Sequence, residues 1–209
     1  MMPRRTAPAT PLEFSVMKRV CVFAGSSSGA RPEYRAVARA LGRTLAARGM
    51  GLVYGGAQVG LMGVLADAVL ASGGHVTGVI PEALVAKEVA HNGLTDLRVV
   101  ASMHQRKALM ADLADAFIAL PGGWGTVEEF FEILTWAQLG LHRKPCGLLN
   151  VHGYFDRLLA FVAHSMDEGF VRPEYREMVP VSDSPESLLD LLAAYAPPQV
   201  EKWIDPAET

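Results

Sequence analysis

The sequence of 209 residues contains only two cysteines, Cys21 and Cys146, each inside a short apolar run. Neither belongs to a C-x-x-C pair or stands beside a histidine ladder, which excludes a disulfide framework or a zinc site as the organising feature. Both thiols read as reduced core residues. No apolar stretch reaches the roughly 20 residues that span a bilayer, and residues 1–16 lack the continuous apolar segment of a secretory signal. A cytoplasmic location is expected. A basic excess is also missing, since the formal net charge is −3. Nucleic-acid backbones are bound by clustered Lys and Arg, so the balance favours a small-molecule partner over nucleic acid or membrane.

Two nucleotide signatures are absent as well. No Gly-Lys-Ser/Thr occurs, which excludes a P-loop NTPase. No G-x-G-x-x-G follows the first apolar run, and the second runs into Gly55 and Gly56 with no acidic residue to hold a ribose diol, which argues against an ordinary NAD site. Nor is there an internal repeat or an interdomain linker.

What is present is half hydrophobic and one-fifth charged, the composition of one compact core. Short apolar runs at Val20 to Ala24, Gly51 to Tyr54, His75 to Ile80, Leu97 to Val100, Ala116 to Leu120 and Pro145 to Val151 alternate with longer segments of helical period. That alternation predicts an α/β single domain, a Rossmann-like, doubly wound and mostly parallel sheet covered by helices on both faces. Tyr34, Val37, Ala38, Leu41 and Leu45 fall on one helical face between Pro32 and Gly49. Further helices are expected at Gly60 to Ala71, Met103 to Ala114, Thr126 to Leu139, Tyr154 to Glu168 and Pro185 to Ala194, the last capped by Ser184. The expected organisation is a disordered leader over residues 1–16, a nucleotide-binding catalytic domain over 17–196 and an extended tail over 197–209.

Three strands end in glycine-rich turns that open helices: Gly25-Ser26-Ser27-Ser28-Gly29, Gly55-Gly56-Ala57-Gln58-Val59-Gly60, and Gly122-Gly123-Trp124-Gly125-Thr126. In a parallel sheet such turns gather at the carboxyl edge, where ligands bind. Any one of them is equally what a tight βα connection needs. Three together point to a ligand, and the third is the most informative, because glycines let backbone N–H groups approach an anion at a positive helix end. With NAD and P-loop chemistry set aside, a mononucleotide phosphate is the expectation. Gly25, Ser26, Gly55 and Gly56 are possible additional contacts.

Glu129 lies three residues after Thr126, on the same helical face, while Glu128 turns about 100° away. Repulsion from phosphate would direct Glu129 to the ribose, and the helix N-terminus would favour its ionised form, as suits a base or a stabiliser of positive charge. A first-turn glutamate that complements the helix dipole is the competing reading, and it fits Glu128 at least as well. Arg106, in Met103-His104-Gln105-Arg106-Lys107, is either a bidentate clamp on phosphate or ribose oxygens or a solvated helix arginine. Phe130, Phe131, Ile133, Leu134, Trp136, Ala137 and Leu139 spread apolar surface over more of the helix than one sheet-facing stripe requires, so a homodimer is expected.

The segments Met103 to Lys107 and Pro121-Gly122-Gly123-Trp124-Gly125-Thr126-Val127-Glu128-Glu129 together resemble the paired signatures of the LONELY GUY family. Its members are cytokinin riboside 5′-monophosphate phosphoribohydrolases, often labelled lysine decarboxylases. The resemblance extends over roughly Lys18 to Phe170. It implies a Rossmann-like homodimer that hydrolyses the N-glycosidic bond of a nucleoside 5′-monophosphate, an adenosine monophosphate with or without an N6 substituent, to free base and ribose 5-phosphate. It implies neither metal nor cofactor. By position, the catalytic pair resembles Arg106 and Glu129. The substrate contacts resemble Glu88, Arg106, Lys107, the run Gly122, Gly123, Trp124, Gly125, Thr126, Val127, Glu128 and Glu129, and Thr135. Trp124 stands where the family often has tyrosine. The competing readings are a non-catalytic nucleotide or molybdenum-cofactor carrier of the same fold and a pyridoxal-phosphate lysine decarboxylase. For the decarboxylase, none of Lys18, Lys87, Lys107, Lys144 and Lys202 offers a recognisable Schiff-base setting.

Overall fold

Seven parallel strands form one sheet in the order β4-β3-β2-β1-β5-β6-β7. They are β1 (Arg19–Phe23), β2 (Gly51–Tyr54), β3 (Val76–Pro81), β4 (Asp96–Val100), β5 (Ala116–Ala119), β6 (Cys146–Leu149) and β7 (Val181–Ser182). The structure, a computed structural model, describes residues 17–85 and 90–198. Residues 1–16, nearly all of the expected tail, and Glu88 lie outside the described residues.

The inner strands β1, β2, β3, β5 and β6 are buried on both sides of the sheet, which is why they read as continuous apolar runs. On one face lie α1 (Pro32–Ala47), α2 (Gly60–Ala71) and α7 (Pro185–Ala193), enclosing Val20, Leu41, Leu52, Leu65, Ile118 and Leu189. On the other lie α4 (Met103–Leu113), α5 (Trp124–Gln138) and α6 (Asp156–Asp167), enclosing Val53, Met110, Phe117, Phe130 and Ile133. A single turn, α3 (Glu82–Val85), follows β3. The α1 and α2 helices cross closely because position 42 is glycine: a Cβ there would stand 2.8 Å from that of Ala68. Chain order reverses between β1 and β5, the switch point where ligands of open α/β sheets bind.

The expected doubly wound α/β fold is present, and every strand pair of the sheet is parallel. The Ser184 cap of α7 accepts a hydrogen bond from the Ser187 N–H, as expected. Three features differ from expectation. β7 is only two residues long and has no periodicity to read. α5 starts at Trp124, not Thr126, so Trp124 and Gly125 already belong to its first turn. α6 starts at Asp156, not Tyr154, because Phe155, at φ −93° and ψ 3°, leaves the helical region and serves as its N-cap.

Candidate functional site

The three glycine turns meet at the carboxyl edge through backbone contacts. The Gly25 N–H donates to the Pro121 carbonyl at 3.1 Å, and the Leu61 N–H donates to the Gly25 carbonyl at 2.9 Å. Glycine is required at these crossings: a Cβ on Gly25 would lie 3.2 Å from the Gly122 Cα, and one on Gly60 would lie 2.3 Å from the Ser26 carbonyl carbon. A Cβ on Gly122 would strike the buried Thr126 side chain. At Gly123 and Gly125 the situation is opposite, since a Cβ there would meet nothing within 4 Å. Internal packing makes no demand for glycine at those two positions, whereas close approach of a ligand to the backbone would.

No side chain caps α5, whose first intrahelical bond runs from the Val127 N–H to the Gly123 carbonyl. The N–H groups ahead of it have no partner inside the helix and present the positive end of its dipole. Trp124 projects from this turn with 93% of its surface exposed. Ser26 is exposed beside the first turn. Gly56, at φ 74°, accepts at its carbonyl from the His91 N–H at 2.9 Å.

α4 delivers Arg106 to this edge. Its start is fixed twice: the Ser102 hydroxyl accepts from the Gln105 N–H at 3.2 Å, and the Gln105 side chain accepts from the Ala101 N–H at 3.0 Å. One turn in, Arg106 is buried. It lies against Gly55, where a Cβ would overlap its Nη2. Nη1 donates to the Met103 sulfur at 3.3 Å, and Nε is buried without an acceptor. Nη2 stands 3.4 Å from Glu129 Oε1, with the two side chains only 10% and 13% exposed. The arginine is therefore a buried, incompletely satisfied donor, unlike a solvated helix residue.

Burial is the largest influence on Glu129 and raises its carboxyl above the usual glutamate range, with Arg106 opposing. The helix end, which favours the ionised form, acts with Arg106 against this shift. Cys21 lies fully buried within reach of the same charges, and burial pushes its thiol well up. Both cysteines are free.

Lys107 turns to other partners, donating to Glu128 at 2.6 Å and Glu132 at 2.9 Å. Hydrogen bonding to Glu128 raises its pKa. Lys107 and Glu128 thus pair with each other alongside Arg106 and Glu129. Sequence reasoning missed Tyr154, whose hydroxyl donates to the Gly122 carbonyl. The signal was its place just after β6, at the same sheet edge.

A family model described as "Possible lysine decarboxylase" matches residues 62–192. A cytokinin riboside 5′-monophosphate phosphoribohydrolase of Arabidopsis thaliana is 51% identical over 183 residues, covering 88% of this chain and 84% of that protein. The chain belongs to this family, the LONELY GUY proteins. A second Arabidopsis thaliana protein of the same name is 49% identical over 183 residues, 88% of this chain and 86% of its own. Among solved structures, the molybdenum cofactor binding protein of Rippkaea orientalis superposes with a TM-score of 0.64 at 23% identity, over 86% of this chain and 98% of that one. The molybdenum cofactor carrier protein of Chlamydomonas reinhardtii gives 0.63 at 22%, over 84% and 98%. These two show the fold that LONELY GUY proteins share with carriers.

Of the residues the LONELY GUY resemblance implied, Thr135 stands apart. It is exposed on α5, its hydroxyl donating to the Phe131 carbonyl at 2.7 Å, and it lines an apolar groove of about 450 Å³ between α5 and α6. Phe131, Leu134, Phe161, Val162 and Val171 line the same groove. Among the described residues, no group of three or more His, Cys, Asp or Glu side chains is set to hold a metal.

Proposed function

We propose that this chain hydrolyses the N-glycosidic bond of a nucleoside 5′-monophosphate, giving free base and ribose 5-phosphate. The observation that carries the reading is the buried Arg106–Glu129 pair at the mouth of the glycine turns, in a chain about half identical to named phosphoribohydrolases. The phosphate is held by the N–H groups at the head of α5, with Gly122 to Thr126 as its loop and Gly25, Ser26, Gly55 and Gly56 alongside. Holding this remote group fixes the ribose for attack. Arg106 supplies its unpaired Nε–H to phosphoribosyl oxygens.

Cleavage passes through an oxocarbenium-like sugar. Glu129, ionised, stabilises that charge and takes one proton from water as the water oxygen bonds to the anomeric carbon. The carbon–nitrogen bond breaks with its electron pair going to the base, which takes a proton from solvent. The raised pKa of Glu129 makes it a stronger base. We assign catalysis to Arg106 and Glu129, and substrate contact to the Gly122–Glu129 run with Lys107, Thr135 and Glu88.

The catalytic domain in this reading spans residues 17–196, is cytoplasmic, and works as a homodimer through the apolar groove between α5 and α6. No helix of the described residues is long and apolar enough to cross a membrane. A pyridoxal-phosphate decarboxylase fits less well, because the Nζ atoms of Lys107 and Lys144 are taken by Glu128 and Glu132 and by the Ala111 carbonyl. The test is chromatography of products from AMP, its N6-isopentenyl derivative and CMP. Base and ribose 5-phosphate in equal amounts are expected from at least one. Tight binding with no base released from any would favour a carrier.

A further inference from the structure

The turn between β6 and α6 is more heavily braced than a connection requires. The Asn150 side chain accepts from the Phe155 N–H at 2.7 Å and donates to Asp156 at 2.7 Å. Inside the turn, His152 takes φ 51°, the single non-glycine residue with positive φ among the described residues, and its Nε2 lies 3.8 Å from Glu33 on α1. Backbone strain of this kind persists where the surroundings hold it, and it clusters at working sites. What the turn presents is Tyr154, an exposed residue whose own burial contributes little. Its hydroxyl donates to the Gly122 carbonyl, and its ring meets the edge of Tyr34 at 5.7 Å between centroids and 79°. The Tyr34 ring in turn fills the space where a Gly29 Cβ would stand, 2.7 Å from its Cδ2. Tyr154 therefore ties the first glycine turn to the third.

The geometry points to Tyr154 as a positioning residue for the phosphate, an inference that rests on the phosphate-loop reading above. A peptide unit is planar, with its C=O and the following N–H directed oppositely. Fixing the Gly122 carbonyl on the Tyr154 side fixes the Gly123 N–H on the other, in the orientation an anion at the head of α5 requires. Neither Gly122 nor Gly123 has a side chain to hold that plane, and no side chain caps the helix. Without the hydroxyl, the plane rotates freely enough to lose a donor to the phosphate, while ribose and base contacts stay as they are.

The experiment compares the purified full chain with Tyr154→Phe, which removes one oxygen. Affinities for ribose 5-phosphate and for adenosine are measured calorimetrically, and KM and kcat are measured with AMP. Tyr154→Phe is expected to weaken ribose 5-phosphate binding and raise the AMP KM by about fivefold or more, with kcat within about threefold and adenosine affinity unchanged. Unchanged ribose 5-phosphate affinity in the variant, with tight binding by the parent, overturns the role of Tyr154. Equal losses on ribose 5-phosphate and adenosine, or a variant that melts far below the parent, also overturn it, since the hydroxyl would then be supporting the fold in general. Failure of the parent chain to bind ribose 5-phosphate at all removes the phosphate-loop reading, and this inference with it.

Discussion

Arg106 Nη2 and Glu129 Oε1 stand 3.4 Å apart, at the edge of hydrogen-bonding distance, with both side chains nearly buried. One residue along on each of the same two helices, Lys107 and Glu128 make a closer contact of 2.6 Å in which the glutamate is exposed. The two glutamates are neighbours in sequence but differ in what their removal should do.

Glu129→Gln keeps shape and hydrogen bonding but removes the charge that, in the proposed mechanism, stabilises the sugar cation and activates water. Turnover of a nucleoside monophosphate is expected to fall about 100-fold or more, with nucleotide affinity retained. Glu128→Gln weakens an exposed ion pair and a dipole interaction of about 0.3 to 1 kcal/mol, and should leave the rate within a few-fold. Base release at saturating substrate measures both. A Glu128→Gln variant more damaged than Glu129→Gln would reverse the assignment.

The raised carboxyl of Glu129 has two consequences for pH. Activity needs the ionised form, so the acidic limb of kcat/KM should lie above the usual glutamate range, and Arg106→Ala, which removes the opposing cation, should move it further up. Stability runs the other way. The folded chain holds this proton more tightly than the unfolded chain, so the contribution is present below the unfolded pKa and is lost as pH rises through the folded one. At neutral pH the ionised Glu129 thus opposes folding. Glu129→Gln should melt at or above the parent at about pH 7, and the difference should shrink below about pH 4. A variant clearly less stable at neutral pH would contradict the burial argument.

Gly55 separates catalytic from structural damage. A Cβ there would displace the end of the Arg106 side chain, which is flexible, and not a backbone. Gly55→Ala should therefore lose activity by about tenfold or more, as a displaced catalytic group does, while its melting temperature stays close to that of the parent. Gly60→Ala meets the Ser26 backbone at φ 58° and should be destabilised. Paired thermal melts and rate measurements distinguish the two outcomes.

The groove between α5 and α6 includes Phe161, which is 62% exposed in the single chain. Light scattering at micromolar concentration should give a dimer mass. Phe161→Asp, which puts a charge into the buried centre of that contact, should give a monomer. A monomeric parent would remove the interface.

The alternation of apolar runs and helical segments was legible because the inner strands β1, β2, β3, β5 and β6 are buried on both faces and each long helix shows one face to the sheet. The meeting of the three glycine turns was legible for the same reason, since parallel topology sends all such turns to one edge. Side-chain direction was less so. Lys107 sits next to Arg106 in sequence yet turns to Glu128 and Glu132, a choice set by the packing of α4 on α5. The burial of Glu129, which raises its carboxyl, was not legible from its place in the first turn of α5. The turn at His152 and Gly153, held by Asn150 and Asp156, has no periodicity, so its hydrogen bonds left no pattern to find, and only the place of Tyr154 just after β6 pointed to this edge.

The pairing of β1 with β5 also bears on how the chain folds. Asp115 Oδ2 accepts hydrogen bonds from the backbone N–H groups of Lys18 and Arg19, 97 and 96 positions away. Strands β1 to β4 can assemble by successive nearest-neighbour additions. The β1–β5 junction must instead close a loop of that whole length, and the entropy of closure is offset only after the distant strand has docked. Since Gly25 and Pro121 join at that seam, the edge where the glycine turns meet should be among the late parts of the molecule to form, and nascent chains ending before β5 would carry Arg106 with no Glu129 beside it. A ligand bridging the seam would bind only the completed fold, and would slow unfolding by holding its longest-range strand pairing shut.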